Sequence, residues 1–289
     1  MRREKLFSNA GFYPFIVESN VLLHREAIDN GRHLLQQLLK KWAAERTVHV
    51  LDLACGGEPV AIARIMKSFP DRRFHYTGID INPDQVSLAR SSFKFPNNVV
   101  DVKINEGNAW DFHPEEPGRK YDVIFMGLNL HHGTPEEIHY LATRISDLLS
   151  DDGIFINHDC FRPDKEPYLR RPDYHPENLE ESFKLLNSET LSSVDALPVA
   201  INELPGGTAE PDWRKRYRQC LSSTATQRGG DSAGIESMNQ HVNQRDYPIS
   251  LQEFRSIFES NGFEVNALRY DTRELMGEFI AMAVASKLK

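Results

Sequence analysis

The sequence predicts an α/β fold: a largely parallel sheet with helices on both faces. Three observations predict it. Short apolar runs of strand length alternate with amphipathic stretches of helix length between Val48 and Asp159. The first run, Val48-His49-Val50-Leu51-Asp52-Leu53-Ala54, meets a glycine turn, Cys55-Gly56-Gly57-Glu58, that opens straight onto a helix. The second run, Phe74 to Asp80, ends in an acid. Sheets of this kind hold ligands outside the carboxyl ends of their strands, where strand order reverses. The turn and the acid both fall at such ends.

In chain order, residues 1–46 precede the sheet. Phe7, Phe12, Tyr13, Pro14 and Phe15 form an aromatic lead-in, and Val21 to Glu45 reads as one or two amphipathic helices. Leu34, Leu35, Leu38, Leu39 and Trp42 fall at helical spacing, which gives them a core-facing stripe. Strands are expected at 48–54, 74–80, 99–105, 121–127 and 153–159, with helices at 59–68, 83–92 and 135–149. Pro59 suits the first turn of its helix because its missing N–H is unneeded there. Phe112 to Lys120 reads as a loop. Cys160 to Tyr247 breaks the alternation with seven prolines and two Gly-Gly pairs. It reads as an inserted cap with helical pieces near 177–188, 212–226 and 232–243, since so long a structureless loop would not suit a compact domain. A helix at 250–260 and strands at 262–270 and 277–286 close the chain.

Composition excludes several classes. The chain has 289 residues, 40% of them hydrophobic and 26% charged, which fits a globular protein with a large core. A net charge of −8 argues against a nucleic-acid partner, since a phosphate backbone calls for a basic face. The basic run Arg214-Lys215-Arg216-Tyr217-Arg218 reads as the solvated face of a helix. Three widely spaced cysteines fit a reducing cytosol. No apolar stretch is long enough to span a membrane, and the first residues lack a signal peptide's apolar run, so a cytoplasmic location is expected.

Four motifs follow one another in order: Asp52-Leu53-Ala54-Cys55-Gly56, Gly78-Ile79-Asp80-Ile81-Asn82-Pro83, Gly107-Asn108-Ala109-Trp110-Asp111, and Tyr121-Asp122-Val123-Ile124-Phe125 running to Leu130-His131-His132. The series resembles that of class I S-adenosylmethionine-dependent methyltransferases, well over residues 47–160 and in outline over 245–286. The resemblance implies a Rossmann-like sheet of seven strands, mostly parallel with an antiparallel last strand, helices on both faces and a helical cap insertion. It divides the chain into a lid at 1–46, a cofactor-binding core at 47–160 and 245–289, and a cap at 161–244. S-adenosylmethionine is the implied cofactor. Asp52, Ala54, Gly56 and Gly57 would hold its methionine part, Asp80 its ribose hydroxyls, and Ile81 its adenine face. Asn108 and Ala109 would face the adenine edge, and Gly127 would pass close to the sulfonium. Leading helices often close over the cofactor in this family, which would bring Tyr13 and Arg25 to its carboxylate; a packed Tyr13 and a solvated Arg25 are the alternative. Two departures stand out: Ala54 and Glu58 occupy glycine places, and Asn108 stands where aspartate is common.

Methyl transfer from a sulfonium is an in-line displacement whose main demand is alignment. A base is needed only if the acceptor must lose a proton. His131 and His132 follow the fourth strand and His158-Asp159 ends the fifth, so these side chains are expected to share one cleft. Histidine titrates near neutrality, making His132 or His158 the candidate base, with Asp159 orienting a histidine; alignment alone is the alternative. His131, His132, His158 and Asp159 are also suitable metal ligands, yet no H-E-x-x-H or C-x-x-C accompanies them, and no metal is expected. The chain lacks a G-x-S-x-G elbow, a P-loop and the G-x-G-x-x-G of nicotinamide sites. The expectation is a methyltransferase acting on oxygen or nitrogen of a small molecule. A non-methylating relative, or one acting on a protein side chain, is the alternative.

Overall fold

The computed structural model describes residues 12–166, 211–270 and 275–288. Its centre is a seven-stranded sheet: β1 (Val48–Leu53), β2 (Phe74–Asp80), β3 (Val99–Glu106), β4 (Tyr121–Gly127), β5 (Leu149–Cys160), β6 (Phe263–Arg269) and β7 (Ile280–Lys287). Their order is β3-β2-β1-β4-β5-β7-β6, with β7 antiparallel to both neighbours. Order reverses between β1 and β4, which makes the gap above their carboxyl ends the natural ligand site. β5 starts at Leu149, earlier than the expected 153, because its first residue pairs with Tyr121 before a register shift.

The sheet divides the interior into two cores. Alternate residues of a strand face opposite sides, so Val50, Phe125 and Ile156 enter one cluster while Leu51, Ile124 and Phe155 enter the other. α2 (His24–Leu39) and α3 (Val60–Lys67) supply the first core, and α5 (Pro135–Leu148) supplies the second. α4 (Pro83–Ser92) begins at Asn82, whose side chain accepts from the N–H groups of Asp84 and Gln85. α5 begins in a capping box between Thr134 and Glu137. The aromatic lead-in contains a helix that periodicity did not indicate, α1 (Phe12–Glu18).

Within the expected cap, the helix sought at 177–188 lies outside the described residues. α6 (Asp212–Gln227) and α7 (Ser232–Arg245) form at the two later places. Tyr217, Leu221 and Ala225 of α6 and Val242 of α7 join the first core with Ile16, Val21, Phe279 and Ile280. α8 (Leu251–Ser260) returns to the second face, where Phe254 and Phe258 are buried. The basic run is not a solvated face. Arg214 is 4% exposed and donates to the carbonyls of Val242 (2.6 Å) and Asn243 (2.7 Å), capping the last turn of α7. Arg218 bonds Asn243, and Arg216 pairs with Glu278 at 2.9 Å, leaving Lys215 as the exposed member. Among the described residues, no helix is long and apolar enough to cross a membrane.

Candidate active site

The glycine turn after β1 carries an unusual backbone. Ala54 (φ 60°) and Gly56 (φ 63°) both lie in the left-handed region, costly for a residue with a Cβ and free for glycine. The bend is held from β2. Asp80 accepts from the Gly56 N–H at 2.8 Å and from the Asn82 N–H at 2.9 Å, and Gln85 accepts from the Gly57 N–H at 2.8 Å. Asp80 thus points at the bend. Ile81 stands beside it with 37% of its surface exposed, an apolar side chain on the rim. Asn108 caps the short helix Ala109–Asp111, its oxygen accepting from the Trp110 N–H at 2.8 Å. One lone pair of that oxygen is therefore committed. Ala109 is buried in the second core, so its side chain is turned inward.

Beside the bend lies a small cleft lined in part by Asp52, Ala54, Phe125, Gly127 and His158. Register explains the grouping. Asp52 pairs with Phe125 and Phe125 with Ile156, while Gly127 pairs with His158; paired residues share a face. Gly127 leaves this wall open, since a Cβ there would come within 3.1 Å of the Phe125 ring. Asp52 is fully enclosed and accepts from the Tyr76 hydroxyl at 2.8 Å. Burial pushes its carboxyl up to about 7; the Tyr76 bond opposes this and the Asp80 charge adds to it. Such a carboxylate favours a cationic partner. His158 donates to or accepts from Tyr270 through Nδ1 at 2.9 Å, and burial holds its ring well below the usual range, helped by nearby His24. Burial and the Arg64 charge lower His24 itself to about 4. Both imidazoles are neutral at pH 7.

The four residues expected in one cleft fall into two groups. His131, His132 and Asp159 do not line the cleft that His158 lines. Asp159 follows His158 in an extended strand and so faces the other way. It orients His131, accepting at Nδ1 with a 2.5 Å contact, and is itself held by the N–H groups of Asn129 (3.1 Å) and Leu130 (2.7 Å). Burial alone would lower the His131 pKa, but Cys160, Asp159 and Asp246 together raise it well above the usual value. Asp246 lies next to this pair, with nitrogens of His131, His132 and His241 around its Oδ1.

Sequence reasoning missed Tyr270, His24, His241 and Asp246. His24 is the first residue of α2, and the other three are distant in sequence with no motif around them. Arg25 is exposed and donates to the Glu18 carbonyl at 3.0 Å, away from the cleft. The side chain of Tyr13 lies outside the described residues.

Comparison with known proteins places this arrangement. Residues 50–153 match the model of a family described as "Methyltransferase domain". The non-reducing polyketide synthase ausA of Emericella nidulans is 30% identical over 153 residues, which cover 52% of this chain and 6% of that synthase. The chain therefore spans a small part of the length of the curated relative it matches. Among solved structures, the plantazolicin methyltransferase BamL, in complex with a triazolic desmethylPZN analog and SAH, aligns over 99% of this chain and 94% of its own. Its TM-score is 0.54 at 11% identity, a likeness of fold. LepI in complex with SAM aligns over 88% of this chain and 46% of its own, with a TM-score of 0.48 and 13% identity. Residues 50–153 are thus similar to a methyltransferase domain, and the sheet around them has the fold of the BamL methyltransferase.

Proposed function

We propose that the protein binds S-adenosylmethionine and transfers its methyl group to oxygen or nitrogen of a small molecule. The observation that carries this reading is the shared face of three adjacent strands, where Asp52, Gly127 and His158 line one cleft beside the bend that Asp80 holds. The residues fit the cofactor. Asp52, a buried acid that has no ion pair among the described residues, suits an ammonium group. Asp80 brings two carboxylate oxygens to the bend, the acceptor type that a diol calls for. Ala54, Gly56 and Gly57 present bare backbone, Ile81 offers an apolar rim to a base, and Asn108 and Ala109 border it. When bound, the cofactor supplies a methyl on a sulfonium that needs no further activation.

The chain's own part is alignment and proton removal. Gly127 keeps the wall beside the methyl free of a side chain. His158, steadied by Tyr270 and lining the cleft, is the candidate base for the proton of a hydroxyl or amine. The small-molecule preference is supported by the net charge of −8 and by α6 and α7 packing on the cleft's side of the sheet. Free thiols at Cys55, Cys160 and Cys220 support a cytosolic setting.

The test is calorimetric titration with S-adenosylmethionine and with a nicotinamide dinucleotide, followed by mass spectrometry of reactions with phenol, alcohol and amine panels. Tight binding of the first and S-adenosylhomocysteine formed with a methylated acceptor is the expected result. Binding without S-adenosylhomocysteine would point to the non-methylating class, and methylation confined to protein substrates would remove the small-molecule reading.

A further inference from the structure

Four side chains from two distant stretches meet at the rim of the sheet. His131 and His132 follow β4; His241 lies in the last turns of α7, and Asp246 directly follows that helix. One ligand-type atom from each lies within 4.8 Å of all the others. Asp246 is only 2% exposed, yet among the described residues its Oδ1 accepts no hydrogen bond. Around that oxygen stand His131 Nε2 at 3.4 Å, His241 Nε2 at 3.4 Å and His132 Nδ1 at 3.9 Å. Good N–H···O bonds end near about 3.2 Å. The edge of a tetrahedron with bonds of about 2.0–2.1 Å is roughly 3.3 Å. The spacing is therefore that of ligands around a shared centre, rather than of donors closing on an acceptor.

A second observation points the same way. His131 gives its other nitrogen, Nδ1, to Asp159 at 2.5 Å, and Asp159 is fixed by backbone N–H groups of Asn129, Leu130 and Cys160. This keeps one proton on Nδ1 and aims Nε2 at Asp246, where a bound cation would take the place of the second proton. A carboxylate behind a histidine in this way is the usual support of a metal-ligating imidazole. Three imidazoles and one carboxylate suit a first-row transition cation of the zinc type, and are poor ligands for magnesium or calcium, which take oxygen.

We propose that His131, His132, His241 and Asp246 bind one divalent transition cation, with Asp159 as the residue that positions His131. Two ligands come from the β4 rim and two from the end of α7. The cation would thus pin the helical segment onto the sheet. His132 and His241 keep about a fifth of their side-chain surface exposed, which gives the ion a path in from solvent.

The test uses the full chain, stripped with a chelator and titrated with cobalt(II), whose visible absorption reports tetrahedral nitrogen and oxygen ligands. One cobalt per chain, displaced by zinc and ignored by magnesium, with a raised melting temperature, is the expected result. His241→Ala should weaken binding by roughly a hundredfold or more, and Asp159→Asn by about 10–100-fold. His33→Ala, an exposed histidine of α2, should leave it unchanged. Absence of stoichiometric cobalt uptake by the wild-type chain overturns the proposal whether or not any variant folds. So does undiminished uptake by His241→Ala. None of these readouts needs methyl transfer, so the site stands or falls apart from the proposed activity.

Discussion

Asp52 is a carboxylate enclosed by protein, and its protonation is coupled to folding. Its folded pKa, about 7, lies above the unfolded value near 3.8. The folded state therefore holds its proton more tightly, and stability from this group is full below about pH 4 and is lost as pH rises through 7. His24, lowered to about 4, acts in the opposite direction between pH 4 and 6.5, so only a variant isolates the acid. Asp52→Asn should match the ligand-free wild type near pH 4 and exceed it above pH 7 in urea-unfolding midpoint; a difference that is flat with pH would refute the burial argument. At Asp80 the concern is binding. Asp80→Ala removes the acceptor for the Gly56 N–H and the charge proposed to grip the ribose. It should weaken S-adenosylmethionine affinity by roughly 1.5–3 kcal/mol, the range of charge-assisted bonds, as read by calorimetry. Equal affinity would remove Asp80 from the site.

Helix starts and strand ends carry the energetics one level up. Thr134 is buried and caps α5, accepting from the Glu137 N–H at 3.3 Å while Glu137 accepts from the Thr134 N–H at 2.7 Å. Thr134→Ala should cost about 1–2 kcal/mol in denaturant unfolding, and Thr134→Ser should recover most of it. The start of α5 was legible because a polar cap, a proline and a Glu three residues after the cap are local signals. The bend at Cys55 to Glu58 and the acid at Asp80 were legible for the same reason, each set by the residues beside it. The division of His158 from Asp159 follows from strand alternation, a rule available from the sequence but outweighed by the attraction of one shared cleft. Arg214 was not legible. A guanidinium reads as surface until the carbonyls it caps, about thirty residues later, are known to lie against it.

For the whole molecule, the decisive feature is that, among the described residues, α6 and α7 bury their apolar side chains in the first core of the sheet. Leu221 is 1% exposed and packs in the same cluster as Ile16, Val21 and Phe279. Unfolding should therefore be a single transition, coincident by fluorescence and circular dichroism, and Leu221→Ala should lower its stability by about 2–5 kcal/mol without splitting it. A separate early transition would show that the helices are an autonomous unit. Seven strands with an antiparallel last one were legible from alternation and the family resemblance, whereas His241 and Asp246, more than a hundred residues from His131, were brought there by tertiary packing alone. The tip of β5 has a consequence for how such a protein can diversify. His158 and Asp159 are covalent neighbours that serve opposite sides, one lining the cleft and one holding His131. On the proposed reading, replacing the histidine should change the chemistry and spare the scaffold, while replacing the aspartate should loosen the scaffold and spare the proposed base.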